Sequence, residues 1–365
     1  MSIPFSGQYL SALKLDNGQS GYLTINVDPD KKGLGVAYWK SVSNGTFAIF
    51  DCNAYVDEHG TISGKVRRSE QLEKKHGQTN PLTDSEKNEV EFIVYREEDS
   101  HRFIIQNGDT PNEVFLENIG LPNRAETMQI ETWREFKEWA NSVKTKDRNS
   151  IFRGVPRSSF GLKTSFHRTG RVDLERYRDA DMPVFSDLAE TVGGLRIEGD
   201  IGAMWGFAQH YGFPTPLLDW TDSPYIAAYF AFLNRLEESN PSTNENVRIY
   251  YLDGNFVTAN TPPSIGMSDT FPRVWIFRPN TKGNQRLVFQ QGVFLHSNIV
   301  EIEAYLLYWS KKQNIPVVSA VEMPAALARE AIDELRFMGV NHLSMFPGLD
   351  GAAKYAAIKQ FYQPD

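Results

Sequence analysis

Three stretches in the second half of the chain carry residues whose types and spacing suit chemistry. The first is Ile151-Phe-Arg-Gly154, an apolar pair running into an arginine and a glycine. Arginine offers a planar fork that matches phosphate or carboxylate in bidentate fashion, and glycine lets a ligand come close to the backbone. Without a ligand, the same residues read as a buried strand ending in a salt-bridged arginine. The second stretch, residues 205–232, holds Gln209, His210, Gly212, Pro214, Thr215, Leu217, Leu218, Asp219, Trp220, Thr221, Ser223 and Pro224. A helix end at 205–210 is stopped by Gly212 and Pro214, and a short buried strand from Leu217 ends in Asp219, Trp220 and Thr221. Ser223 then caps a helix with Pro224 in its first turn and Ile226, Ala227, Phe230 and Ala231 facing inward. This order gathers a carboxylate, an indole, hydroxyls and backbone amides in one place. It is either a pocket wall or a cross-linked turn in which Asp219 caps the helix and His210 satisfies a buried carbonyl. The third stretch, Arg286-Leu-Val-Phe-Gln-Gln-Gly-Val-Phe294, reads as a strand with Gln290, Gln291 and Gly292 in mid-course. A glycine there marks a bulge or a close approach by a ligand.

These stretches need a scaffold, and the chain changes grammar near its first third. Residues 5–121 alternate β-branched and aromatic runs (21–27, 34–39, 47–50, 90–95, 102–106) with turn signals such as Asp16-Asn-Gly18, Asp28-Pro29 and Asn107-Gly-Asp109. That spacing predicts an all-β sandwich or small barrel. The polar, charge-dense run 67–89 predicts a long hairpin loop. Beyond Pro122, residues 127–144 place Ile130, Trp133, Phe136, Trp139, Ala140 and Val143 at helical steps. The expected organisation is α+β: a β-rich domain at 1–122, a boundary at 120–125, and a mixed α/β domain at 123–365. Residues 299–308 read as an amphipathic helix that leaves Glu301 and Glu303 on a solvated surface. Residues 237–246 read as an exposed loop, 260–271 as a flap over the pocket, and Phe346-Pro-Gly-Leu-Asp-Gly351 as a turn into a closing helix at 352–361 capped by Asp350.

Composition narrows the function classes. A chain of 365 residues with 41% apolar and 12% aromatic side chains supplies enough burial for two folded domains and rules out dominant disorder. No window approaches the roughly 18 apolar residues of a bilayer span, and the first residues lack a secretion signal, so a cytoplasmic protein without a membrane partner is expected. A lone cysteine, Cys52, excludes an internal disulfide and the cysteine-based zinc sets, and His59, His76 and His101 lack ligand spacing. A net charge of -8 argues against whole-surface attraction to nucleic acid. It leaves room for a local basic stretch of Arg153, Arg157, Lys163, His167, Arg168 and Arg171.

Taken together the motifs resemble the FRG domain family. The resemblance rests on Phe152-Arg-Gly154, the block Gln209-His-Tyr-Gly-x-Pro-Thr-x-Leu-Leu-Asp-Trp-Thr221, Ser223-Pro224, the helix of Ala227 to Ala231, Arg286 with Gln291-Gly-x-Phe294, and Met345-Phe-Pro-Gly-Leu-Asp-Gly351. It covers roughly residues 133–357. Pro216 stands where a basic residue is expected and Met345 where leucine is usual, and the first difference removes a phosphate contact. The order of strands also resembles ADP-ribosyltransferases of the Arg-Ser-Glu type, whose split sheet holds NAD as substrate. By that resemblance Arg153 holds the pyrophosphate, and Asp219, Trp220 and Thr221 line the nicotinamide side, with Gly154, His210 and Gln290 also expected among the residues that bind NAD. Gln290 or Gln291 stands at the catalytic place. A glutamine cannot offset the positive charge that develops on the ribose, so the expected catalytic set is Arg153, Asp219 and Gln291, with Asp219 supplying the carboxylate. The resemblance implies an ADP-ribosyltransferase or NAD hydrolase of a bacterial toxin or anti-phage type. It would have an unknown protein or nucleic-acid acceptor and be restrained by the front domain, an antitoxin or homo-oligomerisation. The competing expectations are a nucleotide or nucleic-acid binding module that stacks a base on Trp220 and breaks no bond, and a purely architectural polar network.

Overall fold

The computed structural model describes residues 3–14, 20–41, 47–72, 89–96, 100–107, 110–118, 124–193, 201–236, 245–261, 272–278 and 285–362. Residues 120–123 of the expected boundary at 120–125, 73–88 of the expected loop at 67–89, 237–244 of the expected loop at 237–246 and 262–271 of the expected flap lie outside them, while the ends of the 67–89 run, 67–72 and 89, belong to strands and not to a loop.

The first sheet is made of β1 (Ile3–Pro4), β2 (Gly7–Lys14), β3 (Ser20–Val27), β4 (Leu34–Ser41), β5 (Phe47–Val56), β6 (Ile62–Leu72), β7 (Glu89–Arg96), β8 (Ser100–Asn107) and β9 (Thr110–Asn118). Each strand from β2 to β9 pairs antiparallel with the next, and β9 returns to β2, so eight strands form a ring with β1 added on β5. Of the two all-β forms expected, the chain takes the barrel. The β9–β2 seam is short, with three registered pairs from Ser11↔Asn118 to Leu13↔Leu116. Alternation along β3 fills the inside, because Leu23, Ile25 and Val27 meet Tyr9, Ala37, Ala54, Phe92 and Val94 in one cluster. Cys52 lies in the same cluster, where burial pushes its thiol up to about 12 and keeps it protonated and unreactive.

The outer face of β2 and β3 is apolar too, and this joins the barrel to the rest of the chain. Leu10 and Tyr22 pack into the same core as Ile299, Ile302 and Tyr305. Between them Gln8 acts as a polar peg: its Nε2 donates to Asn298 O at 2.7 Å and its Oε1 accepts from Val300 N at 2.9 Å. Gln8→Leu leaves both backbone groups without that partner and is expected to lower stability by about 1–2 kcal/mol. Denaturant unfolding is the measurement, and a change within experimental error would show that water replaces the peg. A second seam is ionic. Buried Asp28 accepts from Val172 N and Asp173 N at 2.8 and 3.2 Å and pairs with Arg171 and Arg176 at 2.6 and 3.0 Å.

The second sheet comprises β10 (Thr127–Gln129), β11 (Ile151–Val155), β12 (Leu217–Thr221), β13 (Val247–Leu252), β14 (Val274–Phe277), β15 (Gly292–Ser297) and β16 (Val318–Met323). Their order is β10-β16-β13-β11-β12-β15-β14, with only β10 and β16 parallel. Helices Trp133–Lys146, Pro224–Leu233 and Ala328–Phe337 cover one face through Phe152, Ile249, Val321 and Met323. The helix Ile302–Gln313 and the barrel cover the other through Ile151, Val155, Tyr250 and Leu252. The helix expected at 127–144 begins only at Trp133, because Thr132 caps it with Glu135 in a reciprocal box and Thr127–Gln129 joins the sheet.

Three further expectations need correction. Residues 286–294 do not form one strand: Gln285–Phe289 is a helix, and the strand starts at Gly292 after a turn in which Gln291 takes φ 46°. The closing helix is Leu349–Ala357 with Gly348 rather than Asp350 at its cap. Residues 302–313 are helical, as the amphipathic reading had it, but Glu303 is buried, not solvated. It accepts from Ala125 N at 2.8 Å and the Tyr250 hydroxyl at 3.1 Å, with Arg248 at 3.8 Å. A buried carboxylate is tolerated only when paired in this way.

Candidate functional site

The site lies where the second sheet opens. β11 and β12 share one registered pair, Phe152↔Thr221, whereas β11 pairs with β13 along its whole length. Past that pair the strands part, and the Arg153 side chain crosses the opening to donate from Nη1 to Asp219 O at 2.5 Å. The guanidinium thus takes a carbonyl that the missing ladder leaves without a strand partner.

A cavity of about 210 Å³ occupies the opening, lined by Phe152, Arg153, Gly154, Asp219, Trp220, Thr221, Ala227, Phe230, Arg286 and Gln290. Pockets for drug-sized ligands span about 300–1,000 Å³, so this one holds part of a ligand, such as one ring or a sugar phosphate, with the remainder outside. Among the described residues two cations and one carboxylate face it. Arg153 has a buried Nε with no hydrogen-bond partner. Burial pulls its guanidinium below the usual range while Asp219 opposes the change. Arg286 sits over the Phe346 ring, 4.4 Å from its centroid, and burial lowers it likewise, again opposed by Asp219. Among the described residues neither guanidinium has a carboxylate within salt-bridge distance, so both keep donors for an anion. Arg278 provides the contrast, since its two donors are spent on Asp222 at 2.5 and 2.8 Å.

Asp219 is exposed while its neighbours on β12 are buried, and its Oδ1 accepts from Gln209 Nε2 at 2.6 Å. Gln209 Oε1 in turn accepts the Thr215 hydroxyl. Ser223 caps the next helix, donating no role to Asp219 there: its side chain accepts from Ile226 N at 3.3 Å with Pro224 in the first turn.

Six of the eight residues singled out from sequence line this cavity: Arg153, Gly154, Asp219, Trp220, Thr221 and Gln290. Among them Arg153 and Asp219 offer charged groups, and Trp220 has a buried indole Nε1 without a hydrogen-bond partner. Gly154 packs closely on the helix Pro224–Leu233, for a Cβ there would stand 1.8 Å from Ala227 O. Trp220 is buried in the core with Leu218 and Val293, so its ring is not free to stack on a base. Thr221 donates its hydroxyl to Gln290 O at 2.8 Å, and Gln290 Nε2 donates to Met345 O at 2.9 Å. Both are therefore committed to the fold. Gln291 and His210 are not in the wall. The first is exposed on its turn, and its carbonyl accepts from Asp222 N at 3.1 Å. The second is exposed at its helix end against Tyr211, its imidazole lowered by partial burial and by Arg286.

Half of the basic stretch is engaged within the fold. Arg157 pairs with Glu245 at 3.3 Å, Arg171 with Asp28 and Asp181, and His167 is buried. Residues the sequence reading left off its site are Arg286, Gln209 and Phe230. Arg286 was masked by the strand assignment of 286–294: on a helix, its position three residues before Phe289 and four before Gln290 sends it back towards β12.

The family model described as the FRG domain matches residues 148–240, a span that includes β11, β12 and the helix Pro224–Leu233. No curated protein and no solved structure matches the chain. Among the described residues no helix is long and apolar enough to cross a membrane.

Proposed function

With an FRG domain at residues 148–240 as the premise, we propose that the cavity between β11 and β12 binds NAD and cleaves its nicotinamide–ribose bond, as a hydrolase or an ADP-ribosyltransferase. The observation that carries the reading is the convergence of Arg153, Arg286 and Asp219 on one cavity. The bond from ribose C1′ to the nicotinamide nitrogen breaks with its electron pair leaving on nicotinamide, which departs neutral, and positive charge passes to the ribose. The Asp219 carboxylate faces that charge and stabilises it more in the transition state than in bound NAD, which is the condition for raising the rate. The two guanidiniums hold the diphosphate, whose charge matches theirs. Water or an acceptor nucleophile then bonds to C1′ and loses its proton to solvent, giving ADP-ribose or an ADP-ribosylated acceptor. An opened sheet with a phosphate-facing arginine on one lip and a carboxylate on the other also accords with the resemblance to Arg-Ser-Glu enzymes. The carboxylate here comes from β12, and Gln291 takes no part.

Nicotinamide release from NAD by the full chain is the test. Asp219→Asn keeps the acceptor for Gln209 and removes the charge, so release is expected to fall about 100-fold with little change in KM. Arg286→Ala is expected to act mainly on KM. Equal turnover in Asp219→Asn and the parent chain would end the proposal. Saturable NAD binding without release would assign the cavity to nucleotide recognition instead.

A further inference from the structure

We propose that Gln209 and Thr215 form a positioning relay that holds the Asp219 carboxylate towards the cavity; this rests on the reading of that cavity as an NAD-cleaving site. Asp219 is exposed, and a carboxylate on an open strand is free to turn into solvent between rotamers. What restrains it is the hydrogen bond from Gln209 Nε2 at 2.6 Å.

The sense of that bond is dictated by chemistry. A carboxylate accepts only, so the amide must present Nε2 to Asp219, and its Oε1 then needs a donor on the other side. The Thr215 hydroxyl is that donor. Thr215 cannot wander, because it is fully buried and anchored on both sides of its peptide: its N–H donates to Ser165 Oγ at 2.9 Å, and its carbonyl accepts from Phe166 N at 3.1 Å and from the Ser165 hydroxyl at 3.1 Å. Gln209 stands in the last turn of the helix Ile201–His210, so its backbone is fixed as well. The relay therefore runs from a rigid buried hydroxyl, through an amide of set orientation, to the one carboxylate among the described residues of the cavity wall. Its effect is on geometry: small misplacements of a reacting group are costly in rate.

Gln209→Met preserves the length and apolar stem of the side chain but has neither donor nor acceptor. It is expected to lower kcat for nicotinamide release about 10- to 100-fold with KM within about twofold and thermal midpoint unchanged. Thr215→Val should reproduce the loss, and Thr215→Ser, which restores the hydroxyl, should restore the rate. Combined with Asp219→Asn, Gln209→Met should add nothing further, because both act on the same group. A parent chain that releases no nicotinamide, or an Asp219→Asn variant as active as the parent, overturns the reading of the site. Asp219→Asn inactive while Gln209→Met keeps the parent kcat overturns the relay alone, as does a change confined to KM or a loss that adds to that of Asp219→Asn.

Discussion

Gly154→Ala is expected to lower the unfolding free energy by about 3–5 kcal/mol, an effect at the upper end of what single substitutions do. The ideal Cβ falls 1.8 Å from Ala227 O, 2.8 Å from Ala227 C and 2.9 Å from Ala231 N. All three are backbone atoms of the helix Pro224–Leu233, so no side chain can rotate out of the way. The small residues Ala227, Ala228 and Ala231 on that helix allow the same close approach from the other side, and each is fully buried. Accommodating a methyl group means shifting the helix bodily, and with it Ala227 and Phe230, which form part of the cavity wall. Urea unfolding followed by tryptophan fluorescence measures the loss. A change of less than about 1 kcal/mol would mean that strand and helix separate at little cost, contrary to a close-packed interior.

The glycine illustrates what the sequence made legible and what it did not. Its neighbour Arg153 and the distant Asp219 both line the opened sheet, yet neither ends its strand as the apolar runs suggested: each is the third of five residues, in β11 (Ile151–Val155) and β12 (Leu217–Thr221). The same reasoning located the Ser223 cap and several of the barrel strands, where alternation reports directly on which side is buried. It failed where the outcome depends on partners far along the chain. Gly154 reads equally well as room for a ligand or for a helix, and only the register of β11 against Pro224–Leu233 decides. Trp220 resembles a stacking platform until Leu218, Val293 and Leu295 are seen around it. Residues 286–294 contain Val, Phe and Leu at densities suited to a strand, yet the first four coil into a helix that brings Arg286 over Phe346. Glu303 looked solvated because nothing local announces Ala125, Tyr250 and Arg248, which lie 178, 53 and 55 positions away.

Acidification from pH 7.5 to pH 5 is expected to cost the folded chain about 4 kcal/mol through two histidines alone. His167 and His296 are both buried, and burial pushes each imidazole down to about 3, with His296 and Lys163 lowering His167 a little further. His296 lies between Trp275 and Trp205, with ring centroids 5.1 and 5.2 Å away, and neither of its nitrogens has a hydrogen-bond partner. His167 is held by Thr164 on Nδ1 at 2.9 Å, leaving Nε2 without a partner. The folded form therefore binds fewer protons than the unfolded one between about pH 6.5 and pH 3. Stability is full above the unfolded value near 6.5 and falls as pH drops towards the folded value, at pH 5 by about 2 kcal/mol for each ring. His296→Phe keeps an aromatic ring between the two tryptophans and removes one titrating group. In that variant the loss between pH 7.5 and pH 5 should shrink by about 2 kcal/mol, whatever its stability at pH 7.5. Urea unfolding at the two pH values for both chains gives the comparison, and equal losses in the two would show that His296 takes up its proton without unfolding.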